Sequence, residues 1–190
     1  MGGNGKSSLE TETGILSFLK EELADFLTLS RGIISLVILS LSFLGKDAYL
    51  AVVILTLFGA VTDIFDGKAA RRYLGENREG KLGKYDIEID TLFVLCILGY
   101  LSFSEIVIPM VAGLGWIGLA VIAVVLYKRK PKVLIIIEVP SVVALLIIAG
   151  LYDVKIFAFV IVPVTLAGLI INHKRVLYMV FEYWPRVFFK

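Results

Sequence analysis

Apolar residues along this chain do not keep to one helical face. They run almost unbroken for about twenty positions at a time, and they do so six times. The runs lie at roughly 26–45, 48–72, 86–103, 106–127, 133–152 and 154–173, each long enough to carry a helix through a hydrocarbon layer about 30 Å thick. A different pattern precedes the first run. In "ETETGILSFLKEELADFLTLSRG", Ile15, Leu16, Phe18, Leu19, Leu23 and Phe26 recur at helical spacing against Lys20, Glu21 and Glu22, which predicts an amphipathic helix lying in the membrane interface. The expected fold class is therefore an all-α integral membrane protein, with six transmembrane helices preceded by an N-terminal interfacial amphipathic helix. Residues 1–14 are expected to be a disordered N-terminus and residues 15–190 one membrane domain. The opening "MGGNGKSS" ends like a phosphate loop, but no glycine stands five residues before Gly5 and no strand leads into it, so it carries no nucleotide site.

Composition strengthens this picture and charge orients it. With 58% hydrophobic and 19% charged residues, the chain lies far from a soluble domain. A single cysteine, Cys96, excludes an internal disulfide and sits in an apolar run as an inert buried thiol. The net charge of +2 is too small for a nucleic-acid partner. Lys and Arg crowd the connection between the second and third runs, the "YKRKPK" stretch between the fourth and fifth, and the segment after the sixth. The remaining connections hold only Lys46 and Lys155. By the positive-inside rule both termini face the cytoplasm, in a multi-pass protein of the cytoplasmic membrane.

The chemistry gathers at one edge of the bilayer. In "VTDIFDGKAARR", Asp63, Asp66, Gly67, Ala70 and Arg71 fall on one helical face. Asp86 and Asp90 repeat the spacing of one turn where the third run begins. Two antiparallel neighbours would present four carboxylates to one another, a repulsive arrangement unless protons or cations relieve it. Two divalent ions, Mg²⁺ or Mn²⁺, match that charge and prefer hard oxygen ligands. Ions paired in this way are suited to displacement at phosphorus. Gly67 and Ala70 leave the helix face open to a ligand, and Arg71 offers a planar fork to phosphate.

The stretch from Asp63 to Asp90 resembles the signature of the CDP-alcohol phosphotransferases, also called the CDP-alcohol phosphatidyltransferase family, which are six-helix membrane enzymes. Its pattern is Asp-x2-Asp-Gly-x2-Ala-Arg-x8-Gly-x3-Asp-x3-Asp. All the matched positions agree in type, but Arg71 to Asp86 is two residues longer than the usual pattern, and Gly83 stands three rather than four residues before Asp86. Members often begin the first helix with Asn-x2-Thr-x2-Arg, and Asp25, Thr28 and Arg31 occupy those places. The resemblance implies transfer of a substituted phosphate, a phosphatidyl group, from a CDP-linked donor to an alcohol with release of CMP. It implies that Asp63, Asp66, Asp86 and Asp90 hold the two metal ions, that Asp90 also acts as general base, and that Gly67, Ala70, Arg71, Thr28 and Arg31 receive the CDP moiety. A lipid donor, CDP-diacylglycerol or an archaeal ether analogue, explains why nucleotide chemistry is built into membrane helices. Homodimers occur in the family, and the sequence neither supports nor opposes one.

Other positions admit two readings. Glu138 stands inside the fifth run, where an acid is costly and marks function by default. It either lines the acceptor pocket or pairs with "YKRKPK", whose Arg129 and Lys132 in turn meet either a phosphorylated acceptor or anionic membrane lipids. Gly113, Gly115 and Gly118 suggest close helix packing, and Trp116 a packing or interface anchor. The rival functions are a transferase using a soluble CDP-alcohol donor and, from another class, a divalent-cation transporter. Against the transporter, the acids cluster at one end, with only Glu138 elsewhere in a crossing.

Overall fold

The structure, a computed structural model, describes residues 25–73, 85–127 and 130–171 together with 173, 177 and 181; for residues 63–73, 86 and 131 the description is of the backbone alone. The expected disordered N-terminus, most of the interfacial helix and Arg129 lie outside the described residues. Six helices make up the described chain: α1 (25–40), α2 (Tyr49–Tyr73), α3 (Asp86–Phe103), α4 (Met110–Leu126), α5 (Pro131–Tyr152) and α6 (Val154–Ile171). No strand occurs among the described residues. The helical run Asp25–Thr62, α5 and α6 are each long and apolar enough to cross a membrane, and α4 is a shorter apolar helix. These are the helices of a membrane protein.

Between α1 and α2 the chain does not uncoil into a loop. It tightens into a 3-10 segment, Leu41–Ala48, broken at Gly45, where φ is 61° and ψ −141°. That conformation is open to glycine and costly for residues with a Cβ. It reverses the chain, as the contacts on either side of it require. Along α1, Arg31 pairs with Asp90, Leu39 meets Gly99, and the Gly45 carbonyl accepts a hydrogen bond from the Tyr100 hydroxyl at 2.8 Å. Both numbers rise together, so α1 runs parallel to α3. Along α2, Gly59 lies under the Phe93 ring while Tyr49, Val52 and Val53 share the core with Ile97 and Leu101. There the numbers run in opposite senses, so α2 is antiparallel to α3.

Helix α3 is the central post of this bundle. Thr91, Phe93, Val94, Cys96, Ile97, Leu98, Tyr100, Leu101 and Ser102 are all buried and cover most of its circumference, leaving exposed a face that carries Leu92 and Phe103, as expected of a helix that is hydrophobic all round. Helices α4 and α5 pack against it, as does the 3-10 segment. Only its first turn, with Asp86, Glu88 and Asp90, is strongly polar. The expected inert burial of Cys96 is observed.

The fourth apolar run is shorter as a helix than its hydropathy predicts. It was expected over 106–127, yet α4 begins at Met110. Residues 104–109 form an irregular turn in which Glu105 and Val107 take positive φ values of 50° and 66°. Pro109 sits in extended conformation as the N-cap of α4 and disfavours helix in the residue before it. Ile106 is folded fully inside, so an apolar residue that hydropathy assigns to a span belongs instead to a buried turn. Helices α2, α3, α5 and α6 begin and end within about two residues of the apolar runs, the usual uncertainty of helix ends, whereas α1 stops at residue 40, five residues before its run ends, where the 3-10 segment begins. Pro131 occupies the first turn of α5, where its missing N–H costs nothing, and Asp153 caps α6 by accepting from the Lys155 and Ile156 backbone N–H groups, both at 3.0 Å.

Candidate functional site

Three helix segments converge at one end of the bundle. The last turns of α2 carry Asp63, Asp66, Gly67, Ala70 and Arg71 on continuous helical backbone. Asp86 is the first residue of α3, and Asp90 stands one turn further in. The third segment is the buried face of α1, formed by Thr28, Arg31, Ser35 and Ile38. That stripe is polar toward the site and apolar away from it.

Arg31 is 1% exposed, and its Nη1 donates to Oδ1 of Asp90, 59 positions later in the chain. A guanidinium so completely withdrawn from solvent is tolerated only with a carboxylate or comparable acceptors beside it. The pair locks the first helix to the third at the level of the aspartates. Ser35 donates from its hydroxyl to the Arg31 carbonyl at 2.7 Å, and Thr91 likewise to that of Ile87 at 2.9 Å. These short polar side chains are satisfied within their own helices. The charged pair links one helix to the other.

This arrangement is chemically specific. Asp90 is held against a fixed cation at the end of the bundle where the aspartate-bearing last turns of α2 also lie. A family model described as CDP-alcohol phosphatidyltransferase matches residues 21–179, a span that takes in α1 to α6 and every one of these segments. The chain belongs to this family. No curated protein and no solved structure gives a significant match.

Membership in the CDP-alcohol phosphatidyltransferases makes the chain a transferase, with phosphatidyl transfer from a CDP-alcohol as the activity of the family. The family is generally dependent on divalent metal, and the carboxylates expected to hold it are of a type that suits hard cations. Among the described residues no group of three or more His, Cys, Asp or Glu side chains comes together. The side chains of Asp63, Asp66 and Asp86 are outside that description.

The expected acceptor residues are distributed along α5. Lys132 is exposed in its first turn, and Glu138 is half-buried nearly two turns later. Their depth follows from the packing of α4. Gly99 of α3 faces Ile117, and the Trp116 Nε1 donates to the Ser141 hydroxyl at 2.9 Å, which puts Ser141 near the level of Gly99. Counting back along α5 at 1.5 Å per residue, Lys132 comes near the level of Asp90, and Glu138 about 9 Å deeper. The two therefore stand at different heights of the bundle.

Sequence reasoning had grouped three glycines of α4 together, but the structure separates them. A Cβ on Gly113 would fall 1.7 Å from the Ser102 Oγ, whereas one on Gly115 or Gly118 would meet nothing within 4 Å. Trp116 is a packing anchor between α4 and α5 through its bond to Ser141. The partner of Arg31 was not anticipated. Its only signal in the sequence was a basic residue three positions after a threonine at the start of a span.

A cavity of about 90 Å³ lies between α2, α3, α5 and α6, lined among others by Tyr49, Val53, Ile97, Leu101 and Leu145. It is apolar and occupies the half of the bundle away from the aspartates. Its lining includes the hydroxyl-bearing Tyr49 and Thr56 but no charged residue.

Proposed function

We propose that this protein transfers a phosphatidyl group from a lipid-linked CDP donor, CDP-diacylglycerol or an ether analogue, to an alcohol and releases CMP. The observation that carries the reading is the antiparallel packing of α2 on α3. Phe93 lies over Gly59; about one helical turn onward from that contact on each helix brings Asp63 toward the level of Asp90, and about two turns onward bring Asp66 toward that of Asp86. Family membership supports the same reading independently.

The transfer needs little covalent work from the protein. The acceptor oxygen attacks the phosphorus that bears the donor's alcohol, the phosphoanhydride bond breaks, and CMP departs with the bonding electrons. Asp90 receives the hydroxyl proton as the new P–O bond forms. Its basicity need only match a hydroxyl made acidic by its attack. Asp63, Asp66, Asp86 and Asp90 would hold two Mg²⁺ or Mn²⁺ ions, which when bound supply neutralisation of charge on the diphosphate. Gly67 and Ala70 keep the face of α2 low beneath the nucleotide, Arg71 pairs with phosphate oxygens, and Thr28 stands beside them on α1. Lys132, with Arg129 before it, meets the acceptor at the mouth, and Glu138 lines the inner end of its pocket. The bundle crosses the membrane six times with this end cytoplasmic.

The test is turnover. Purified protein incubated with radiolabelled CDP-diacylglycerol, Mg²⁺ and glycerol phosphate, inositol phosphate, serine or inositol in turn is expected to release CMP with one of them. Replacing Asp90→Asn should abolish transfer and leave binding of the CDP donor measurable. Undiminished turnover in that variant removes Asp90 from its role. Metal flux into proteoliposomes without CMP release from any alcohol would assign the acids to transport.

A further inference from the structure

Among the described residues, Arg31 is the largest side chain that is fully buried. It stands on a helix that carries none of the four aspartates. A cation in that position is withdrawn from both water and the open face of the site, so its charge acts mainly on what it touches, and it touches Asp90. The carboxylate of Asp90 turns on two side-chain torsions and, without a partner on another helix, has no fixed direction. A guanidinium approaching from α1 removes that freedom and does so with rigid, planar donors.

From this contact we infer that Arg31, which the family resemblance assigned to the CDP moiety, is instead a positioning residue, which aims the Asp90 carboxylate from α1 toward the acceptor hydroxyl. The inference rests on the reading of Asp90 as the base. Arg31 itself does not touch the reacting atoms. Its neighbours on the same face support a fixed role: Thr28 is 2% and Ser35 0% exposed, so the α1 backbone around it is seated firmly on the bundle. The pair also explains why a polar face is retained on a helix that otherwise runs through lipid. The first helix of the fold is in this view part of the catalytic apparatus, although it supplies no carboxylate to it.

The experiment compares Arg31→Gln, Arg31→Lys and Asp90→Asn in the full chain. Binding of CDP in the presence of Mg²⁺, the thermal unfolding midpoint in detergent, and kcat and KM for the CDP donor are measured for each. Loss of a residue that orients a functional group typically costs about 10–100-fold. Arg31→Gln is therefore expected to lower kcat by about that factor while CDP binding and KM change less than about threefold, and Arg31→Lys to recover part of the loss. The double variant with Asp90→Asn should be no slower than Asp90→Asn alone, and the two unfolding shifts should be non-additive. A merely structural arginine would instead lower the fraction of protein that binds CDP and leave kcat per binding site unchanged, which overturns the proposal. Additive unfolding shifts do the same. Should Arg31→Gln not fold, Arg31→Lys carries the comparison, and wild-type kcat per CDP site in it is the overturning result. If Asp90→Asn retains turnover, the reading of the base has failed, and the inference falls with it. An inactive Asp90→Asn beside a fully active Arg31→Gln sinks the inference alone.

Discussion

A glycine on a helix is either a weakness or a contact surface, and only the neighbour decides. Gly113 has the Ser102 side chain where its Cβ would be, whereas Gly115, two residues on, faces open space. Gly113→Ala must therefore push α4 off α3, and overpacking of this kind costs about 1–3 kcal/mol. Gly115→Ala meets nothing, and it should stabilise by up to about 1 kcal/mol through helix propensity. Thermal unfolding in detergent separates the two, and equal shifts would show that α4 does not sit on Ser102. The sequence displayed both glycines in the same apolar run, so the difference between them was not legible there. The same limit applies to Arg31. Its spacing from Thr28 marked it as a candidate, but its partner lies 59 residues away, and local periodicity carries no information over that distance.

At the scale of elements, hydropathy located the helices well and their ends less well, for identifiable reasons. Apolar residues fill spans and buried turns alike, so the run from Ile106 onward hid a turn that Pro109 and two positive φ angles enforce. The reversal at Gly45 was similarly concealed, because the chain there remains helical by hydrogen bonding while changing direction. Its glycine is the device: at φ 61° and ψ −141°, a residue with a Cβ is strained by roughly 1–3 kcal/mol. Gly45→Ala is expected to lower stability by about that amount even though no side chain crowds the site. Asp153→Ala should cost about 1 kcal/mol by removing the cap of α6. Gly45→Ala should also disturb the bond from the Tyr100 hydroxyl to the Gly45 carbonyl, so Tyr100→Phe should cost less in that background than in the wild type. Equal costs of Tyr100→Phe in both backgrounds would mean that the turn keeps its shape without glycine.

For the whole molecule, the contacts determine relative directions and the charges supply the absolute one. Helices α1 and α3 run together, while α2 and α4 oppose them: Gly59 meets Phe93 and Gly113 meets Ser102. With α3 as the post, its aspartate-bearing start and the turn after Phe103 lie at opposite ends of the bundle. The Lys and Arg distribution, read by the positive-inside rule, leads us to propose that the aspartate end faces the cytoplasm. The sequence held the relevant aspartates in their spacing. What it lacked was the register that brings α1, α2 and α3 to one level, because that depends on Gly59, Gly99 and Arg31 finding partners across the bundle. The orientation has a direct check. In a Cys96→Ala background, Glu105→Cys and Lys132→Cys place thiols at two exposed positions toward opposite ends of α3. A membrane-impermeant maleimide applied to sealed, right-side-out vesicles should label the first and spare the second, and permeabilisation should expose Lys132→Cys. The donor's CDP headgroup then meets the aspartates from the cytoplasm, where nucleotides are available. If only Lys132→Cys is labelled from outside, the bundle is inverted, and a cytoplasmic CDP donor would have no access to Asp90.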